Sequence, residues 1–216
     1  MITYLLFDLD GTLTNSKEGI TKCVQYALDS FGIHEPDLEK LVPFIGPPLR
    51  QSFQNFYGFD EQQAIAAVEK YRERFSTVGL FENFPYPGIA AMLRQLQAQG
   101  RILAVASSKP TVFVRQILDK FELSQYFQVA EGSNIDGSRT DKKEVIAAVL
   151  QQLNHPSADQ LLMVGDRKYD VIGAREIGFD CVGVNYGFAD PGELEASHPR
   201  YIAQSVEDLT QYLLSV

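Results

Sequence analysis

Residues 7–16 read Phe-Asp-Leu-Asp-Gly-Thr-Leu-Thr-Asn-Ser, directly after the apolar run Ile2–Phe7. A short apolar run that stops at polar residues and glycine predicts a buried strand followed by a tight turn. In an open parallel sheet, ligands bind just beyond the carboxyl ends of the strands, and Asp8 and Asp10 would stand there. Two carboxylates so close repel each other, and a fold that keeps both commonly holds a cation between them. Alone, Asp-x-Asp-Gly is equally a turn that favours Asp and Gly for backbone reasons. A calcium loop of the EF-hand type is excluded. It needs glycine at its sixth position and glutamate at its twelfth, whereas Gly11 and Gly19 occupy the fourth and twelfth positions from Asp8.

Two later apolar runs end in the same way. Arg101-Ile-Leu-Ala-Val-Ala106 stops at Ser107-Ser108-Lys109-Pro110, and Leu161-Leu-Met-Val164 stops at Gly165-Asp166-Arg167-Lys168-Tyr169-Asp170. Between them Lys142 and Lys143 open a helical pattern that continues Glu144-Val-Ile-Ala-Ala-Val-Leu150. A hydroxyl, a lysine and four carboxylates would therefore collect on one edge of one sheet. Taken singly, each has a plainer reading: Ser107 as a helix N-cap before Pro110, Lys142 as a solvated helix residue, Asp170 as an acid favoured in the first turn of the next helix. Four such turns in this order point to chemistry.

This constellation resembles the haloacid dehalogenase superfamily of phosphohydrolases, over essentially the whole chain. The family's DxDGT motif stands as Asp8–Thr12, its Ser/Thr motif matches Ser107, its lysine best matches Lys142, and its GDxxxD motif stands as Gly165–Asp170. Ser107-Ser108 stands where relatives often have Thr followed by Asn or Ser, and Lys143 is the alternative lysine. The nearer resemblance is to the phosphoglycolate-phosphatase-like branch and its 5′-nucleotidase-like members. It rests on Phe44-Ile-Gly-Pro-Pro-Leu-Arg50, Leu80-Phe-Glu-Asn83, Tyr86-Pro-Gly88, Asp136-Gly-Ser-Arg139 and Gly165-Asp-Arg-Lys168.

The order of elements predicts an α/β fold: a Rossmann-like, doubly wound parallel sheet with a helical cap inserted after the first strand. Strands are expected near 2–7, 102–106, 127–130, 161–164 and 181–184, alternating with helices from 102 onward at spacings that suit right-handed crossovers. More than ninety residues separate the first two strands. Helical spacing there predicts helices over 16–31, 47–57 and 60–75, with Asp60 as an N-cap, and a further helix over 87–99 leads into the sheet. The expected division is a hydrolase core of residues 1–15 and 83–216 and a cap of residues 16–82. Phe53, Phe56, Tyr57, Tyr71 and Phe75 have helical spacing and read as cap core rather than as a stacking platform.

A chain of 216 residues, 45% hydrophobic and 22% charged, is an ordinary globular composition. The net charge of −9 disfavours a nucleic-acid polymer or an anionic membrane as partner, but not a phosphate ester, because local cations set the field inside a site. No apolar stretch approaches bilayer length, and the chain starts straight into a strand without a charged-then-apolar leader. A cytoplasmic protein, monomer or homodimer, is expected. Cys23 and Cys181 lack metal-site spacing, and His34, His155 and His198 lie in loop-like contexts and read as solvated.

The resemblance implies a Mg²⁺-dependent phosphatase of a small phosphate ester. Asp8 is expected to attack phosphorus and hold an aspartyl phosphate, while Asp10 protonates the leaving oxygen and then deprotonates water. Asp8 and Asp166 are the expected side-chain ligands of Mg²⁺, joined by the main-chain carbonyl of Asp10. Asp170 is a further outer ligand or the partner that orients Lys142. Lys142 and Ser107 would act on the phosphoryl oxygens, with Gly11 and Ser108 completing the backbone cradle. Lys109 reads as a turn cation or as a substrate contact, Arg50 as a reader of the substrate's far end or a surface residue, and Arg167 and Lys168 as added positive charge. The competing classes are a phosphomutase of the same superfamily and a non-catalytic regulatory protein on this scaffold.

Overall fold

The computed structural model describes residues 2–216. Six strands form one parallel sheet: β1 (Tyr4–Phe7), β4 (Ile102–Pro110), β5 (Val129–Ser133), β6 (Leu161–Gly165), β7 (Asp180–Val184) and β8 (Tyr201–Ala203). Their spatial order is β5-β4-β1-β6-β7-β8. The chain leaves β1, builds outward on one side through β4 and β5, and returns to build the other side from β6. That reversal beside β1 is the switch point at which such sheets open a crevice. β1 pairs with β4 (Phe7 opposite Val105) and with β6 (Phe7 opposite Val164), so the segments after all three strands leave the sheet at one level.

The strand period explains the near-continuous apolar runs. Leu6, Ala104, Ala106, Met163 and Cys181 face one side, where they meet α6 (Lys142–Gln152) and α7 (Lys168–Ile177) through Val145, Ile146, Val149, Val171 and Ala174. The alternating set Leu5, Phe7, Leu103, Val105, Leu162, Val164 and Val182 is equally buried, as a sheet covered on both faces requires. The remaining helices of this unit are α4 (Ile89–Ala98), α5 (Thr111–Lys120), α8 (Glu193–Ser197) and α9 (Val206–Ser215), with α4 and α9 packed together.

The chain divides into two compact units, residues 2–14 with 85–216, and residues 15–84. Short strands β2 (Thr14–Asn15) and β3 (Phe84–Pro85) pair where the chain passes between them. The 15–84 unit is helical: α1 (Lys17–Asp29), α2 (Leu49–Tyr57), α3 (Glu61–Phe75) and 3-10 turns at Leu38–Phe44 and Gly79–Phe81. α3 starts where expected, because Asp60 accepts from Gln63 N at 2.8 Å and Gln63 returns the bond to Asp60 N at 3.0 Å, a capping box. Phe53, Tyr71 and Phe75 are core residues of this unit, but Phe56 is 51% exposed, since it falls on the outward side of α2.

Three sequence expectations shift. β5 begins at Val129 rather than 127, because Ser124–Tyr126 forms a 3-10 turn just before it. β8 was not anticipated, being three residues long in a polar context. β4 runs on to Pro110 instead of stopping at Ala106, and does so irregularly. Ser107 is therefore a strand residue, and Pro110 occupies the N-cap position of α5.

Candidate active site

The turn after β1 is fixed by its backbone. Leu9 O accepts from the amides of Thr12, Leu13 and Thr14 at 3.3, 2.9 and 3.0 Å, and Gly11 N donates to Thr14 O at 2.8 Å. Gly11 has φ +81°, and a Cβ there would overlap the Asp166 carboxylate. Its amide is thus engaged within the turn, and what this glycine supplies is room for Asp166 rather than a donor for phosphate. Gly187, on the segment after β7, is pressed against the same carboxylate. Asp166 is wholly buried between them, accepting from Phe188 N at 2.7 Å and Thr12 Oγ1 at 3.4 Å.

Asp8, Asp166 and Asp170 bring carboxylate oxygens within 4.8 Å of one another, all three residues being buried. Burial raises the Asp166 carboxyl well above the usual carboxylate range, and the nearby charges of Asp8 and Asp170 push the same way. Asp170 is raised as well, first by burial, with Lys142 opposing. Its Oδ2 accepts from Arg167 N at 3.1 Å, tying it to the first turn of α7.

Lys142 is the lysine beside these acids. Its Nζ lies 2.8 Å from Asp170 Oδ1, 3.0 Å from Asp8 Oδ1 and 3.0 Å from Ala106 O. Burial works against its charge, but Asp170 and Asp8 prevail and raise its pKa. The reason is local: Asp141 caps α6 by accepting from Lys143 N at 2.8 Å, which puts Lys142 at the first helical position. Its stem passes over Gly173 of α7, where a Cβ would sit 2.9 Å from Lys142 Cγ. Lys143, about 100° around the helix, pairs instead with exposed Glu176 at 3.4 Å.

Lys109 departs from its reading as a turn cation. It is 9% exposed, and its Nζ is 2.9 Å from Asp10 Oδ2. Asp10 Oδ1 is buried without a hydrogen-bond partner. Ser107 is 1% exposed, and its Oγ accepts from Lys109 N at 3.3 Å, leaving its O–H as a donor. Ser108 is half-buried beside it. Arg50 belongs to the helical unit, where it pairs with exposed Glu61 at 2.9 Å. Arg167 is 4% exposed rather than a solvated cation, with Nε and Nη2 bonded to Glu193 at 2.9 and 3.0 Å. His34, His155 and His198 are exposed.

Sequence reasoning missed the segment after β7. Tyr186 donates to Thr12 O at 3.1 Å and meets the Tyr86 ring edge-on, 4.9 Å between centroids. Burial raises both phenols, and the charge of Asp166 adds to it. The available signal was Asn185-Tyr-Gly-Phe188, a glycine-bearing turn after an apolar strand, like those at Gly11 and Gly165.

Four buried carboxylates face two buried ammonium groups, and the side-chain donors gathered here, on Asp8, Asp166 and Asp170, are all carboxylate oxygens. That donor set suits a hard divalent cation, which would also pull the raised carboxyl pKa values back down. The strand order with acids at the switch point defines an α/β enzyme fold of the doubly wound class. The sequence model of the haloacid dehalogenase-like hydrolases matches residues 5–184, and the chain belongs to that family. A Pseudomonas aeruginosa protein named 5′-nucleotidase is 47% identical over 98% of this chain and 95% of its own. The tyrosine-protein kinase PtkA of Mycobacterium tuberculosis is 35% identical over 97% of this chain and 72% of its own. The crystal structure of a predicted phosphatase from Clostridium acetobutylicum matches with TM-score 0.97 at 46% identity, covering 100% of both chains.

Proposed function

We propose that this hydrolase is a Mg²⁺-dependent phosphatase acting on a small phosphate monoester through an aspartyl phosphate. The observation that carries the reading is the buried Asp8–Lys142–Asp170 ion-pair chain beside Asp166. Burying titratable groups is costly, and a cluster of them at the mouth of the switch point supports a chemical role.

Asp8 attacks phosphorus, and the bond from phosphorus to the ester oxygen breaks. Asp10 gives that oxygen its proton. Water then attacks the aspartyl phosphate, Asp10 takes the water's proton, and phosphate leaves with Asp8 restored. Lys142, 3.0 Å from Asp8 Oδ1, aims Asp8 while offsetting charge on the phosphoryl oxygens. Lys109 holds Asp10 and adds a second positive charge, and the Ser107 hydroxyl donates to a phosphoryl oxygen. The amides of Leu9, Asp10 and Ser108 complete the cradle. Asp8, Asp166 and the Asp10 carbonyl, with Asp170 as outer partner, would hold Mg²⁺, which would supply charge neutralisation at the phosphoryl group.

Nucleoside 5′-monophosphates head the substrate candidates because of the Pseudomonas relative's name, followed by phosphoglycolate and sugar phosphates. The helical unit is proposed to act as the cap that selects among them, with Arg50 at the substrate's distal end. Among the described residues no helix is long and apolar enough to cross a membrane, and a cytoplasmic enzyme is proposed. A panel of these esters, scored for released phosphate with Mg²⁺, with Ca²⁺ and after chelation, tests the reading. Phosphate release with Mg²⁺ alone is expected. Full activity after chelation removes the metal, and transfer of the phosphoryl group to a protein tyrosine without release places the chain with its kinase-named relative instead.

A further inference from the structure

β4 and β5 do not run in step. Ala106 pairs with Glu131 and Pro110 with Ser133, so Ser107, Ser108 and Lys109 stand opposite the single residue Gly132. This is a bulge of two extra residues, a device that re-aims side chains. Gly132 makes it fit: a Cβ there would overlap Lys109 O and crowd Ser107 O and Thr111 N.

Behind the bulge is a polar network that the chemistry above does not use. Glu131 is 7% exposed, yet its carboxylate has four donors. Arg115 Nη2 and Gln152 Nε2 reach Oε1, each at 3.0 Å. Arg139 Nη2 and Thr111 Oγ1 reach Oε2 at 2.9 and 3.1 Å. Arg139 also donates through Nε to Gly132 O at 3.0 Å and through Nη2 to Thr111 Oγ1 at 3.3 Å, and Gly132 N donates to Thr111 Oγ1 at 2.9 Å. One guanidinium thus grips the carboxylate before the bulge's partner residue, that residue's carbonyl and the hydroxyl that follows the bulge. Arg139 does so from φ +52°, a left-handed backbone that a non-glycine residue adopts where surrounding bonds hold it. Arg115 binds the far side of Glu131 and Ala130 O, away from the bulge.

We propose that Arg139 is a positioning residue: through Glu131, Thr111 and Gly132 it fixes the bulge that presents Ser107 and Lys109 to the reacting phosphoryl group. The inference deepens the phosphatase reading and rests on it for its kinetic arm.

The test compares Arg139→Gln, Arg139→Lys and Arg115→Ala, each with and without Ser107→Ala, on an aryl phosphate with Mg²⁺. Arg139→Gln is expected to lower kcat about tenfold with KM within about twofold, the scale of one lost charge-assisted contact in the transition state. Arg139→Lys recovers part of the loss, since one ammonium reaches Glu131 but cannot also span to Gly132 O. Arg115→Ala keeps wild-type kcat. With Ser107→Ala in place, Arg139→Gln adds little, because both act through one element. Hydrogen exchange at the amides of Ser108 and Lys109, which needs no turnover, speeds up in Arg139→Gln and not in Arg115→Ala. Unchanged kcat and exchange in Arg139→Gln, or full multiplication with Ser107→Ala, overturns the proposal. If Arg139→Gln fails to fold, Thr111→Val removes the central hydroxyl and puts the same question. If the wild type releases phosphate from no ester, the phosphatase reading fails, and exchange alone decides whether the clamp stands.

Discussion

The two units treat charge in opposite ways. In the sheet unit Asp8, Asp10, Lys109, Lys142, Asp166 and Asp170 are all less than a tenth exposed. In the helical unit the ion pairs Lys17–Glu39, Lys70–Glu73 and Arg50–Glu61 lie on the surface, and even Arg74–Glu82 keeps a fifth of each side chain in solvent. Exposed pairs are worth about 0–1 kcal/mol, whereas burying charge is expensive unless partners and function compensate. The difference supports the proposal that the chemistry belongs to the sheet unit and substrate selection to the helical one.

The sharpest way to break this contrast is Asp8→Asn. It should lower phosphate release by about a thousandfold or more, while heat unfolding stays cooperative, because removing one of several crowded carboxylates relieves repulsion as it loses a partner for Lys142. Substantial residual turnover would dissolve the aspartyl-phosphate mechanism. The adjacent lysines give the next largest effect. Lys142→Met should reduce kcat about a hundredfold and Lys143→Met less than twofold, although the residues are neighbours in sequence; equal losses would erase the distinction drawn from their distances.

Arg50→Ala asks whether a surface charge in the helical unit can still matter. The expected result is about a tenfold drop in kcat/KM for the best natural ester and little change for an aryl phosphate. Equal losses on both would move Arg50 into chemistry or folding, and no loss would leave it a surface partner of Glu61. The smallest effect concerns acid. Hydrogen bonding from Arg74 holds Glu82 below the usual carboxylate range, with burial opposing. A depressed folded pKa contributes stability above the unfolded value, near 4.5, and that stability is lost as pH falls through the folded value. The wild type should therefore lose more of its unfolding temperature between pH 6 and pH 3 than Glu82→Gln does; parallel curves would show that the pair carries no linkage.

Much of the sheet unit was legible because it is written locally. Apolar runs that give way to polar residues and glycine at Asp8, Ser107 and Gly165 place the strands to within a few residues, although β4 runs on to Pro110, and parallel pairing carries their carboxyl ends to one edge. Helical geometry lets only one of Lys142 and Lys143 face the acids, and the family resemblance favours Lys142. What escaped the sequence is long-range or belongs to the backbone. Phe188 N on Asp166 and Tyr186 on Thr12 O join segments more than twenty and more than a hundred residues apart. Lys109 looks like a turn cation until the bulge in β4 turns it onto Asp10, and nothing in Ser-Ser-Lys-Pro announces a bulge. Gly132 and Glu131 carry no motif, and their meaning appears only once β4 lies beside β5.

The place of β1 in the sheet also sets a timetable for synthesis. Tyr4 pairs with Ile102 on one side and Leu161 on the other, so β1 gains its second neighbour only when β6 has been made. At about 5–20 residues per second, β6 follows β1 by roughly 8–30 s. During that wait the helical unit, contiguous from 15 to 84, can fold and β4 can take one side of β1, while the other edge of β1 stays bare. A nascent chain stalled before residue 161 would hold Asp8 without Asp166 and an apolar strand without its second neighbour, which makes that interval the point of greatest dependence on chaperones.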